Sequence, residues 1–294
     1  MRVLVTGGGG FIGSHLVDAL LARGDEPVVL DDWSGGSRDN LPPGVETLDM
    51  DVADPRTVSA IAALRPDGII HGAAQVSVPR SMADPDRDRA VNVVGTAHVL
   101  AGAREAGSPR VVFLSTGGGI YGESDGADEM TLPQPKSYYS AHKYLAERYL
   151  EYSGLPYAIA RLANVYGPRQ RSDLEGGVVA IFTERLSAGQ PITIYGSGEQ
   201  YRDFVYVADV VDAVLTMLDS SVDGMWNVAT GEATTVNALL AALQERLGST
   251  SAIVHEQPRP GDVFASRLSI DRIKADLGWS PRYDLAAGLD AMLK

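Results

Sequence analysis

"RVLVTGGGGFIGSHLVDALLARGDEPVVLDD", residues 2–32, is the stretch whose reading decides the fold. A short apolar run at 2–6 ends in glycines. From Phe11 to Gly24 apolar residues recur at helical spacing, and glycine is a natural stop. A second apolar run follows at 27–32. Strand, glycine loop, helix and strand make one βαβ unit, and the alternation continues down the chain. Strands are expected at 67–74, 110–116 and 156–164, between helical stretches near 55–64, 86–106 and 138–153. This pattern implies an α/β fold, a Rossmann-type doubly wound parallel sheet with helices on both faces. After about residue 165 the rhythm loosens into shorter helices and strands, as in a smaller, discontinuous α/β lobe that binds substrate. Residues 1–165 are thus expected to form the first domain and 166–294 mainly the second, with about 200–230 returning to the first. A cleft between them is the expected ligand site.

The glycines carry the first functional signal. Gly7, Gly10 and Gly13 are spaced G-x-x-G-x-x-G between a strand and a helix. Such a turn stays tight and lets backbone approach a pyrophosphate, while the helix start at Phe11 and Ile12 supplies N–H groups and positive potential. Asp31 ends the second strand, where a carboxylate can accept hydrogen bonds from a ribose diol and would repel an NADP 2′-phosphate. Arg38 could hold a phosphate there, but Asp31 favours NAD. Asp51 and Val52, in MDVAD (50–54), are expected beside the adenine. HGAAQ (71–75) puts Ala73, Ala74 and Gln75 directly after a strand, where the cofactor needs close backbone approach. Asn92 faces inward by spacing on the following helix.

Composition excludes several classes. The 294 residues are 45% hydrophobic and 21% charged, ordinary for a globular protein. With no cysteine, disulfides, thiolate zinc sites and cysteine nucleophiles are ruled out, and five scattered histidines give no metal-site spacing. The net charge of −13 argues against nucleic-acid binding, though a few arginines can still gather around an anionic small ligand. No 18-residue apolar run could span a membrane, and with a strand starting at Arg2 a cytoplasmic location is expected.

SYYSAHKYL (137–145) pairs Tyr138 with His142 and Tyr139 with Lys143, each four residues apart. Residues so spaced share a helix face. A tyrosine is a poor base at neutrality, and a lysine one turn away could favour its phenolate. The stretch alone does not say which pair, if either, is catalytic.

Taken in order, TGGGGFIG, HGAAQ, STGGGIYG, YSAHK, RLANVYGPR, RDFVYV and PRPGD resemble the extended short-chain dehydrogenase/reductase family. Within it they are most similar to nucleotide-sugar 4-epimerases of the UDP-glucose type. The resemblance implies that Tyr139 is the catalytic base and that Lys143 supports it and holds the nicotinamide ribose. It implies a serine or threonine beside the Tyr-Gly pair, but the usual position is Gly117; Thr116 is the expected substitute, with Ser115 lining the nicotinamide. Relatives that dehydrate or decarboxylate carry acidic residues here, whereas Gly117, Gly118 and Gly119 carry none, which favours simple inversion of C4 through a 4-keto sugar. Asn164 and Arg202 match diphosphate contacts, Arg259 would pair with the diphosphate, and Asp262 with the uridine ribose. GGVVAIF (176–182) would start a helix covering the nucleotide, with Val178 against it. A homodimer through the helices at 86–106 and 138–153 is expected by the same resemblance. UDP-glucuronate or UDP-N-acetylglucosamine remain open as the sugar. A dehydratase or reductase, and a non-enzymatic dinucleotide sensor, are the competing readings.

Overall fold

A computed structural model describes residues 1–173, 177–258 and 263–294. The chain runs β1 (Arg2–Thr6), α1 (Phe11–Ala22), β2 (Glu26–Asp31), β3 (Glu46–Asp49), α2 (Arg56–Leu64) and β4 (Gly68–His71). Next come α3 (Val78–Ala83), α4 (Pro85–Arg89), a π-helical segment (Ala90–Gly95) and α5 (Thr96–Glu105). Then follow β5 (Arg110–Thr116), α6 (Gly117–Tyr121), β6 (Ser124–Ala127), α7 (Tyr138–Glu151), β7 (Tyr157–Leu162) and β8 (Asn164–Tyr166). The remainder comprises α8 (Val178–Ser187), β9 (Ile192–Tyr195), β10 (Tyr201–Arg202), β11 (Phe204–Tyr206), α9 (Val207–Asp219) and β12 (Gly224–Val228). It closes with β13 (Thr234–Thr235), α10 (Val236–Leu247), β14 (Ile253–Glu256), β15 (Ala265–Leu268), α11 (Asp271–Leu277) and α12 (Leu285–Met292).

A 7-stranded parallel sheet in the order β12-β7-β5-β4-β1-β2-β3 forms the frame. Its inner strands are apolar on both faces, while the edge strand β3 is polar and unburied. Val3, Val5, Val29, Ile70 and Val112 pack into one core, and their neighbours Leu4, Val28, Ile69, Val111 and Phe113 into the other. Period-two side-chain alternation explains the split, and helices cover each face. Strand order reverses between β1 and β4, with Thr6 in register with His71. At such a switch point the loops beyond the strand ends diverge and leave a crevice.

Two expected elements differ in detail. The helix near 86–106 is three consecutive pieces, α4, the π segment and α5. The strand at 156–164 breaks at Ala163, whose N–H bonds Val228 O; β7 stays in the large sheet and β8 pairs with β11. Strand β12 enters the large sheet beside β7. A 4-stranded sheet, β13-β10-β15-β6, lies outside it and takes β6 from the first half of the chain. No helix among the described residues is long and apolar enough to cross a membrane.

Candidate active site

A cavity of about 540 Å³ opens at the switch point, a size suited to a small organic ligand. Gly7, Gly10, Phe11, Ile12 and Gly13 line one wall. Gly7 has φ +71°, and a Cβ there would meet Ala73 N at 2.7 Å. At Gly13 a Cβ would stand 2.1 Å from Gly7 O, so these two glycines are demanded by the loop's own packing. Gly10 differs, because a Cβ there would meet just Gly7 O, at 3.2 Å, and would otherwise project into open space. It is also the N-cap of α1 and makes no side-chain cap bond. Bare N–H groups at a helix start beside a missing side chain form a cradle that fits a pyrophosphate.

Asp31 lines the same cavity and is buried, its carboxylate accepting from Gly9 N at 2.9 Å and Trp33 N at 2.8 Å. Burial pushes its pKa up, and those two bonds oppose the shift. Arg38 is engaged elsewhere: it pairs with Asp49 and lies 4.2 Å over the Trp33 ring. Asp51, Val52, Ala73, Ala74 and Gln75 complete this side of the wall. Asn92 sits outside the lining, buried behind it, where its amide accepts from Gln75 N and donates to Gln75 O, each at 3.0 Å.

A buried chain braces the loop from below. Ala73 N donates to Thr6 Oγ1 at 3.2 Å, and Thr6 Oγ1 lies 2.7 Å from His71 Nδ1. His71 Nε2 lies 3.0 Å from Thr96 Oγ1, whose own hydroxyl donates to Asn92 O at 2.8 Å. Since the Thr96 proton is used, Nε2 must carry the hydrogen and Nδ1 accepts from Thr6. Burial, assisted by Lys143, pushes His71 down to about 3, so it stays neutral.

Tyr139 and Lys143 both reach the cavity from α7, which Ser137 caps through Ser140 N. Lys143 is 2% exposed; its Nζ donates to Leu114 O at 2.6 Å and lies 3.9 Å from the Phe113 ring centre. Burial pushes its pKa down to about 7, against the opposing pull of Glu147 and then Asp88. Ser115 lines the cavity, yet its hydroxyl donates backward to Glu147 at 2.6 Å. Glu147 in turn clasps Arg161 at 3.0 and 2.6 Å, a buried pair directly behind the site.

Thr116 caps α6, its hydroxyl 3.4 Å from Gly119 N. A Cβ at Gly119 would crowd Thr116 Oγ1 at 3.2 Å and Ser140 Oγ at 2.8 Å, so glycine there leaves Thr116 its room. At Gly117 a Cβ would run into Leu268 Cδ1 at 2.5 Å. A side chain at 117 would therefore have to displace the tip of the buried Leu268 side chain on β15.

Outside the cavity lining, Asn164 is exposed on β8, and a Cβ at Gly118 would lie 4.0 Å from its Oδ1 and 2.9 Å from Ser266 Oγ. Arg202 is in register with Ser266 and donates to Tyr201 O and Phe264 O at 2.9 and 3.3 Å. Val178 begins α8, half-buried. Arg259 and Asp262 lie outside the described residues.

A family model described as the NAD dependent epimerase/dehydratase family matches residues 3–229. The chain belongs to that family. Among its members, the UDP-glucose 4-epimerase of Mycolicibacterium smegmatis is 41% identical over 302 residues, covering 98% of this chain and 96% of that one. The Thermotoga maritima UDP-glucose 4-epimerase, solved with UDP-glucose, is 42% identical with a TM-score of 0.96, covering 100% and 97%. That of Thermus thermophilus, solved with NAD, is 43% identical with a TM-score of 0.95, covering 100% and 98%.

Some side chains of this epimerase/dehydratase site escaped the sequence reading. Arg87 reaches from α4 to Asp51 at 2.7 Å and Asp32 at 3.6 Å, all three in the cavity wall. Glu147 had one available signal, its place one further turn along the Tyr139–Lys143 face. Its partner Arg161 had none, being one charge inside an apolar strand.

Proposed function

We propose that this chain is an NAD-dependent 4-epimerase of UDP-hexoses, interconverting UDP-glucose and UDP-galactose through a transient 4-keto sugar. The observation that carries this reading is Tyr139 and Lys143 together in the wall of the dinucleotide cavity. The likeness to relatives solved with UDP-glucose and with NAD supports it. When bound, the nicotinamide supplies reversible oxidation at the sugar C4. Gly7, Gly10, Gly13 and the start of α1 would hold its pyrophosphate, Asp31 its ribose, and Asp51 with Val52 its adenine.

Tyr139 takes and returns the proton of the sugar 4-hydroxyl. Holding a tyrosine as phenolate at ~7 rather than ~10 needs roughly 4 kcal/mol of stabilisation. Lys143 contributes while it keeps its proton, and burial has already brought it to about 7. Proton loss from the two groups is therefore coupled, and the alkaline limb of activity belongs to the pair. Thr116 holds the reacting hydroxyl. The glycines at 117–119 present no acid or base to expel water, so the keto sugar can only be returned. Asn164 and Arg202, with Arg259 and Asp262, anchor the nucleotide while the sugar turns over. In this reading residues 1–165 and the returning segment near 200–230 serve the cofactor, and the rest serves the nucleotide sugar.

The functional unit is a homodimer. Tyr138, Leu145 and Tyr149 on α7 and Tyr152 just past its end, 42–87% exposed, form one stripe that a second copy would cover. Light scattering should give twice the chain mass, and a monomer with full turnover would remove this element. The location is the cytoplasm, which cell fractionation checks.

The deciding experiment is proton NMR of the purified protein with UDP-glucose, UDP-glucuronate and UDP-N-acetylglucosamine in separate tubes, without added cofactor. Inversion at C4 of UDP-glucose is expected. Inversion of one of the others alone would move the substrate, and no inversion even with NAD added would end the epimerase reading.

A further inference from the structure

Helix α4 holds a buried carboxylate to which the reaction above gives no role. Asp88 is 0% exposed, and each of its oxygens is taken. Oδ1 lies 2.6 Å from His142 Nδ1, on the helix that carries Tyr139 and Lys143. Oδ2 accepts from Gln75 Nε2 at 2.7 Å, on the loop that lines the cavity. Gln75 is saturated by such bonds. Its Nε2 also donates to Ser77 O at 3.0 Å, its Oε1 accepts from Ser77 N at 2.8 Å, and Asn92 holds both its backbone groups. The loop therefore meets the catalytic helix through one carboxylate.

The charge of that carboxylate matters as much as its bonds. Around Lys143, α7 presents Tyr139, His142 and Glu147; β4 presents His71, held neutral; β5 presents Leu114 O and the Phe113 ring. Behind them, Arg161 on β7 neutralises Glu147 and stacks on Tyr121 of α6. Arg80 of α3 lines the same cavity, α5 turns Arg104 to Ser153 O and His98 to Val52 O, and the π segment has no titratable group. Glu147 thus already has a cation of its own. Asp88 has Gln75, which is neutral, and His142, which is charged only when protonated. Of the two carboxylates that favour the Lys143 ammonium, Asp88 has the weaker pull, but among the described residues it is the one that pairs with no arginine.

We propose that Asp88 is a positioning residue that pins the Gln75 loop to α7 and, by its charge, keeps Lys143 protonated. This rests on Lys143 serving as assigned above. Lys143 can be titrated without turnover, so failure of the epimerase reading and failure of this proposal are distinguishable.

The sequence helps the test, because it holds just four lysines, Lys136, Lys143, Lys274 and Lys294. Protein labelled with carbon-13 at lysine Cε should show four resonances, and Lys143→Met would assign the buried one. In Asp88→Asn, which keeps an acceptor for Gln75 but no charge, the Lys143 midpoint should fall by roughly one pH unit. Gln75→Ala keeps the charge and breaks the tether; it should leave that midpoint in place and speed NAD release severalfold. A folded Asp88→Asn with an unshifted midpoint overturns the proposal. So does a Gln75→Ala that moves the midpoint as far, since the effect would then be loss of packing. Asp88→Ser, smaller and able to admit a water, replaces the asparagine variant if that one does not fold cooperatively.

Discussion

In the first turn of α1, a Cβ on Gly13 would stand 2.1 Å from a backbone oxygen; in the first turn of α6, a Cβ on Gly118 would stand 2.9 Å from a serine hydroxyl. The difference between their neighbours separates two kinds of construction. A backbone carbonyl held in a tight turn by its bond from Gly10 N cannot step aside, whereas a hydroxyl can rotate. On the dinucleotide side the shape is made of backbone, braced by a buried threonine–histidine–threonine chain. On the sugar side, as proposed above, it would be made of side chains such as Arg202 and Asn164, carried on strands of 2 and 3 residues. A cofactor that must stay and a sugar that must turn over call for those two constructions respectively.

The largest expected effect breaks chemistry without touching either construction. Tyr139→Phe removes one oxygen from the cavity wall, so turnover should fall by about a thousandfold, the middle of the range for a general base. NAD retained on the purified protein should be unchanged. Full turnover in this variant would refute the assignment of Tyr139, and joint loss of NAD would mean that the tyrosine serves binding instead. Next in size is Gly13→Ala. The collision with Gly7 O must be relieved by moving the loop, at about 1–3 kcal/mol. NAD affinity should drop roughly 10- to 100-fold, read by the cofactor content after dialysis, and unaltered retention would show that the loop yields.

How much of this was legible follows the same division. The glycine loop, Asp31 and the Tyr139–Lys143 pair were readable because each is a local device: positions fixed by turn geometry or helical spacing, with partners a few residues away. The contribution of β6 to the 4-stranded sheet was not readable, since it pairs with β15 more than a hundred residues later. Leu268 blocking Gly117 escaped for the same reason. Asn92 was singled out by an inward-facing spacing, which does not distinguish the cavity wall from the splint behind it. The π segment that carries it has no sequence periodicity of its own.

The brace under the dinucleotide loop has its own signature in pH. His71 is neutral in the folded state with its pKa lowered to about 3, and would titrate near ~6.5 when unfolded. The unfolded chain then binds the extra proton, so stability is intact above about 6.5 and declines as pH falls towards 3, by up to about 1.4 kcal/mol per unit. Urea unfolding at several pH values should show that slope. His71→Gln, which keeps one acceptor and one donor, should lose that component. An unchanged acid slope would mean that other groups carry it.

The smallest effect tests the comparison most finely. Gly118→Ala brings its methyl against the buried Ser266 Oγ, which a change of rotamer would move aside. The cost should be near 1 kcal/mol or less and should fall on the sugar side alone: KM for the nucleotide sugar rises about threefold, and NAD retention is untouched. Ser266→Ala removes the obstacle, so the double variant should recover most of that loss, a coupling that independent sites would not show. If Gly118→Ala instead released NAD, the sugar-side loop would be transmitting strain through β5 to Ser115 and the cofactor wall. The two sides of the cleft would then be one mechanical unit, and the adaptable side could not be altered without loosening the rigid one.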